Sequence, residues 1–390
     1  MTRNFWLIVI ASIILGAPMP MLILLGALAG QSLAPTPTLA TLPPSIQMLA
    51  GIVVAIPFSV YMGKAGRRNG FLFGAAILIV GGLCAAFALT IKSFVLLCVA
   101  HLILGAALIG LNFFRFAAAE SVSDQYKAKA IGFLLASGLI AALFGPLIYT
   151  HFKDALLPAP FAGGYVALAV IAAVGCIPLA FMDKLMPSTP QASAQSAPEI
   201  SQREILARPV VLLAIATAAI SQAAMVILMV PTPLAMESVG YAGHHSADVI
   251  RWHVIAMFAP GFFTGYLITR FGVMRIISIG FIVLLFAGIV ALQGSELAHF
   301  YVSLILLGIG WNFGFIGATY LLQSAIAENE RPVIQGVNDT LLAIASSLAS
   351  FSAGVLYAGF GWNTLAGATL VALFIAIVAV FFTNRRTRSV

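Results

Sequence analysis

The chain has 390 residues, of which 62% are hydrophobic and 8% charged, with a formal net charge of +7. Ordinary soluble domains carry about 25% charged residues, so this composition excludes a soluble globule and calls for lipid as the main solvent. Sixteen of the nineteen Lys and Arg fall in loops or at span ends on one side of the spans described next, so the basic balance is a topology signal and not a polyanion site.

Apolar windows of about 20 residues, each long enough to cross a ~30 Å hydrocarbon layer, recur along the whole chain. Span 1 (5–29) is too long for a signal-peptide core and has no small-residue cleavage site after it, so it reads as a retained span. Its middle reads "GAPMPM", where Pro18 and Pro20 loosen the helix. Span 2 (45–63) leads into the loop "GKAGRR". Spans 3 (70–90), 4 (94–117, with "GLNF" at 110–113), 5 (128–150) and 6 (162–182) follow. A stretch rich in Pro, Ser, Ala and Gln then lacks any apolar period and reads as a flexible linker, 183–208. Beyond it come span 7 (209–234), span 8 (249–270) with the loop "TRFGVMR", and span 9 (274–294). Span 10 (299–323, with "GWNF" at 310–313), span 11 (333–359) and span 12 (362–383) complete twelve. The expected architecture is all-α and membrane-embedded, with a six-helix half at 1–182, the linker at 183–208 and a second half at 209–390.

Cys84, Cys98 and Cys176 all fall inside spans, without disulfide or C-x-x-C spacing, and read as small buried hydrophobes. The alternation of loops places both termini in the cytoplasm of a bacterium with an inner membrane. No hydrolase triad, P-loop or dinucleotide fingerprint occurs, so the chain does not read as an enzyme, and no prosthetic group is expected.

The two halves repeat. "GLNF" recurs as "GWNF", and Gly66 in the first loop matches Gly272 in the second at an offset of 206. Twelve spans in two related halves with this Gly-and-Arg loop resemble the major facilitator superfamily over nearly the whole chain. That resemblance implies alternating access around a midplane cavity lined mainly by helices 1, 4, 7 and 10. The family's loop usually has an Asp where Gly63 and Thr269 stand here, which puts its usual charge latch in doubt.

Two short motifs suggest a substrate. "MVILM" (225–229) and "HVIAM" (253–257) put Met225 with Met229, and His253 with Met257, on single helix faces. Measured from the expected span ends, Met229 and His253 both lie ~6–8 Å below the outer edge. Three thioethers and an imidazole, without an anion, suit Cu(I) better than Mg, Ca, Mn or Zn. The paired motifs resemble those of CcoA-type copper importers, whose pattern maps onto Met225, Met229, His253 and Met257. That resemblance implies a copper importer supplying haem–copper oxidase assembly, with copper as cargo and periplasmic or cytoplasmic copper carriers as partners. The alternative is a carrier of a small organic solute such as riboflavin; a metal-reporting receptor is a third class.

Further residues are candidates for supporting roles. The 206-residue offset carries Met225 onto Met19 and His253 onto Gln47, so Met19 and Met21 are candidates for a second sulfur station. His244 and His245, in the outer loop before span 8, are candidates for metal capture. Asn312 could orient ligands or bridge helices. Asp339 is a rare intramembrane acid, suited equally to proton coupling and to a helix–helix hydrogen bond. A monomer in the lipid bilayer, without nucleic acid, is expected.

Overall fold

The structure is a computed structural model and describes residues 2–111, 113–123, 126–183, 202–327 and 330–387. Helices carry almost all of it, because lipid offers no partner to a backbone group and a helix satisfies its own. In chain order these are α1 (Arg3–Gly16), α2 (Pro18–Leu33), α3 (Leu42–Ala65), α4 (Arg67–Thr90) and α5 (Phe94–Leu111). Next come α6 (Phe114–Glu120), α7 (Lys127–Phe152), α8 (Ala162–Ala180) and α9 (Gln202–Leu206). Then follow α10 (Pro209–Met229), α11 (Thr232–Ser238), α12 (Gly243–Phe258) and α13 (Gly261–Phe271). The last three are α14 (Val273–Gln293), α15 (Leu297–Ala325) and α16 (Arg331–Thr387).

Among the described residues, ten stretches are long and apolar enough to cross a membrane. One of them, Ile334–Val378, runs to 45 residues and holds two spans, separated where Gly361 leaves helical geometry at φ 78. The shorter apolar stretch Ser137–Phe152 is the apolar end of α7, which has 26 residues. Twelve spans result, as the sequence leads one to expect.

Three spans are interrupted beside a proline. Span 1 breaks between Gly16 and Pro18, span 7 at Val230–Pro231 and span 8 at Ala259–Pro260. Proline lacks the N–H that would continue the ladder and its ring crowds the preceding turn. The helix limits of spans 7 and 8 differ from those expected. α11 carries span 7 on to Ser238, and α12 starts already at Gly243. Met229 is the last residue of α10, with α11 still to follow it, and His253 lies ten residues into α12, so both stand farther from the span ends than expected.

The chain forms two compact units: Met1–Ser188 with Pro233–Ile255, and Thr189–Thr232 with Ala256–Val390. In the first, a Cβ on Gly243 would stand 3.2 Å from Lys153 Cε and 3.7 Å from the Tyr149 hydroxyl, so α12 begins packed on the end of α7. Two pins hold other helix ends in this unit. Thr2 caps α1 by accepting from the Phe5 N–H at 3.2 Å and donates to the Ser121 carbonyl at 2.6 Å. Arg67 forms a two-pronged pair with Glu120 at 2.7 and 2.9 Å, and its guanidinium lies 5.8 Å from the Phe113 ring centroid. Here the loop arginine is paired although the family's usual Asp is replaced by Gly63.

The second unit repeats the first pin with different chemistry. Arg208, 206 positions after Thr2, donates to both carboxylate oxygens of Glu330 at 2.9 and 2.8 Å. Glu330 also accepts from the Ala327 N–H at 2.9 Å. These hydrogen bonds hold its carboxyl below the ordinary 4.5, Arg208 first and Ala327 second. The pair sits by an apolar cluster that includes Val211, Ile215, Leu322 and Ile334. The matched glycines complete the repeat: Gly66 has φ 86, ψ 162 and Gly272 φ 90, ψ 142. Space around Gly272 is open, so the backbone conformation itself asks for glycine there.

Candidate functional site

Span 10 builds the site. Gly314 on α15 has no side chain, and a Cβ added there would stand 2.3 Å from Ser221 Oγ. The α10 and α15 backbones therefore approach closely because both residues are small. Ser221 turns its hydroxyl back onto the Thr217 carbonyl at 2.9 Å. That approach sets the next residue, Gln222, beside Trp311, and Trp311 Nε1 donates to Gln222 Oε1 at 2.8 Å. Phe315, four positions on and so on the same helix face, stacks with Trp311 at a centroid distance of 4.8 Å and 14°. Phe258 meets Trp311 edge-on at 6.5 Å and 74°. All four side chains are half-buried. Gln222 lies thirteen residues into α10 and Trp311 fourteen into α15, about 20 Å along each helix and near mid-span.

Asn312, next to Trp311, is 2% exposed. Its Nδ2 donates to the Met257 carbonyl at 2.7 Å, and its Oδ1 accepts from Thr264 Oγ1 at 2.7 Å. Those partners flank the break at Ala259–Pro260, where the helix ladder is interrupted. Of the roles open to it in the sequence, Asn312 visibly bridges helices.

The four sequence-derived metal candidates are all buried. Met225 and Met229 are each 4% exposed and Met257 3%, all in the second unit, while His253 is fully buried in the first. Among the described residues, no three His, Cys, Asp or Glu side chains gather as a metal site. On α2, Met19 is 44% exposed and Met21 fully buried. Being two apart on one helix, Met19 and Met21 point to different sides of it. His244 and His245 have ring centroids 4.0 Å apart at the start of α12, with His244 exposed. Asp339 is exposed on α16 and accepts from the neighbouring Asn338 Nδ2 at 3.2 Å. Asn112 of "GLNF" lies outside the described residues.

Sequence reasoning missed a buried polar chain in the first unit. His101 Nδ1 is 2.8 Å from Gln47 Oε1 and its Nε2 2.7 Å from the Tyr165 hydroxyl. Since Gln47 Oε1 only accepts, Nδ1 carries the proton and Tyr165 donates to Nε2. It missed Gln222 too. One Gln in an apolar span was the available signal.

The sequence pattern of the Major Facilitator Superfamily matches residues 5–350, and again 244–390. The chain belongs to the major facilitator superfamily. Riboflavin transporter RfnT of Brucella anthropi is 37% identical over 363 residues, covering 93% of this chain and 91% of that protein. The uncharacterised MFS-type transporter YddS of Bacillus subtilis is 28% identical and covers 97% of this chain and 91% of its own. Among solved structures, a bacterial homologue of the lysosomal transporter Spinster, inward-facing and occupied, superposes with TM-score 0.72 at 14% identity. It covers 99% of this chain and 98% of its own. The nucleoside transporter NupG follows with TM-score 0.71 at 12% identity, covering 98% and 99%. At such identities these two superfamily-like folds speak for architecture alone.

The relatives correct the substrate. A superfamily member 37% identical over 93% of the chain is a riboflavin transporter, and this overturns copper import as the function. The narrower resemblance to CcoA-type importers is unsupported, as are the copper cargo and copper-carrier partners. The physical reason lies in the motifs: thioethers four apart on an apolar helix are also ordinary packing groups, and all three here are buried.

Proposed function

We propose that this protein carries riboflavin, or a closely similar flat organic solute, across a bacterial inner membrane by alternating exposure of a central site. The 37% identity to a riboflavin transporter over 93% of the chain carries this reading. The chemistry around Trp311 supports it. Trp311, Phe315 and Phe258 offer aromatic faces and edges, and Gln222 offers a neutral amide. Such a lining suits an uncharged heteroaromatic ring. The loop bias of Lys and Arg favours both termini on the cytoplasmic side.

Growth of a riboflavin-requiring bacterium that lacks its own carrier tests the reading. Expression of this chain should restore growth at low external riboflavin, and Trp311→Ala should weaken the rescue. Failure of the expressed, membrane-inserted wild type to rescue would count against riboflavin.

A further inference from the structure

We propose that Gln222 is a specificity-determining residue, donating through Nε2 to a ring carbonyl of a flat substrate that lies against the Trp311 aromatic group. The proposal rests on the organic-solute reading above and names the edge chemistry that the site selects.

The amide's orientation follows from chemistry. Indole Nε1 is a donor only, so the Gln222 atom 2.8 Å from it must be the oxygen. Fixing Oε1 on Trp311 turns the two N–H donors of Nε2 away from the indole. Among the described residues, nothing else bonds this amide. A primary amide with two unpartnered donors is expensive in mid-span, where hydrocarbon offers no acceptor. Gln222 is half-buried and not sealed in the core, so its donors face a space that a ligand or water can enter.

The surroundings state what the ligand offers. Trp311 is stacked on one face against Phe315 and lies T-shaped to Phe258, so its plane is preset before a substrate arrives. A flat ring gains contact with such a group, and a carbonyl on that ring's rim gives Nε2 its acceptor. Sites built to hydrogen-bond a substrate group reject analogues lacking it, because the buried donor is then left alone.

The test uses the purified full-length protein with two flat tricyclic probes: lumichrome, which carries ring carbonyls, and phenazine, which has none. Binding is followed in detergent by ligand-induced quenching of tryptophan fluorescence, and riboflavin exchange is measured separately in proteoliposomes. Wild type should favour lumichrome over phenazine by about tenfold or more, the worth of one good neutral hydrogen bond. Gln222→Glu keeps an acceptor for Trp311 and loses the donors; Gln222→Met removes both. In each folded variant the preference should shrink to within about twofold. A preference retained in either folded variant, or absent in wild type, overturns the assignment to Gln222 whether or not riboflavin is exchanged. A Gln222-dependent preference in a protein that exchanges no riboflavin supports the assignment and sinks riboflavin as the cargo.

Discussion

Single side chains with unusual partners hold the ends and middles of these spans. Glu330 shows it best, since Arg208 and the Ala327 N–H both favour its charged form. A carboxyl whose folded pKa is depressed stabilises fully above its unfolded value of about 4.5 and loses that stabilisation as pH falls through the folded value. The thermal midpoint of wild type should therefore exceed that of Glu330→Gln at pH 7. The gap should close as the pH is taken below 4.5. A gap that is constant down to strongly acidic pH would contradict the pinning role. His101 makes the complementary point about legibility. Its two partners, Gln47 and Tyr165, are 54 and 64 residues away, and nothing in local spacing announces that three helices meet there.

At the scale of helices, the spans were largely readable because lipid demands long apolar runs, and their ends were not. Span 7 was expected to stop near Leu234, yet α11 continues to Ser238; span 8 was expected from Val249, yet α12 begins at Gly243. The polar run "GYAGHHSAD" hides that early start, since hydropathy reports solvent and not backbone hydrogen bonding. The break in span 8 was signalled by Pro260, but what tolerates it was not. Asn312 supplies the answer by bonding the Met257 carbonyl and Thr264. Asn312→Ala takes this donor from the Met257 carbonyl, while Thr264 keeps the Pro260 carbonyl as an acceptor, and should cost about 1–3 kcal/mol in thermal or denaturant unfolding. Amide hydrogen exchange should rise around Pro260 first, because the local ladder is already interrupted there. Unchanged exchange at that break would show that Asn312 is not its clamp.

At the scale of the whole chain, the internal repeat carried real information. Gly66 and Gly272 share one backbone conformation, and positions 2 and 208 both begin a first helix that is tied to the end of a fourth. Sequence similarity between the halves is weak because lipid asks for apolarity and not for particular residues. The substrate was the part least legible. Met225, Met229, His253 and Met257 form a spacing that suggests soft-metal chemistry, while Gln222 and Trp311 stand 89 positions apart and join only when α10 meets α15. Motifs close in sequence drew attention, and a site assembled across helices did not.

Counterflow in proteoliposomes puts the central claim to its most direct test. Vesicles holding purified protein and loaded with unlabelled riboflavin are diluted into a trace of labelled riboflavin, with labelled Cu(I) in a parallel set. The account predicts transient accumulation of labelled riboflavin, suppressed by external unlabelled riboflavin, and no protein-dependent accumulation of copper. Folded, reconstituted protein that exchanges no riboflavin, or that accumulates copper instead, would contradict it.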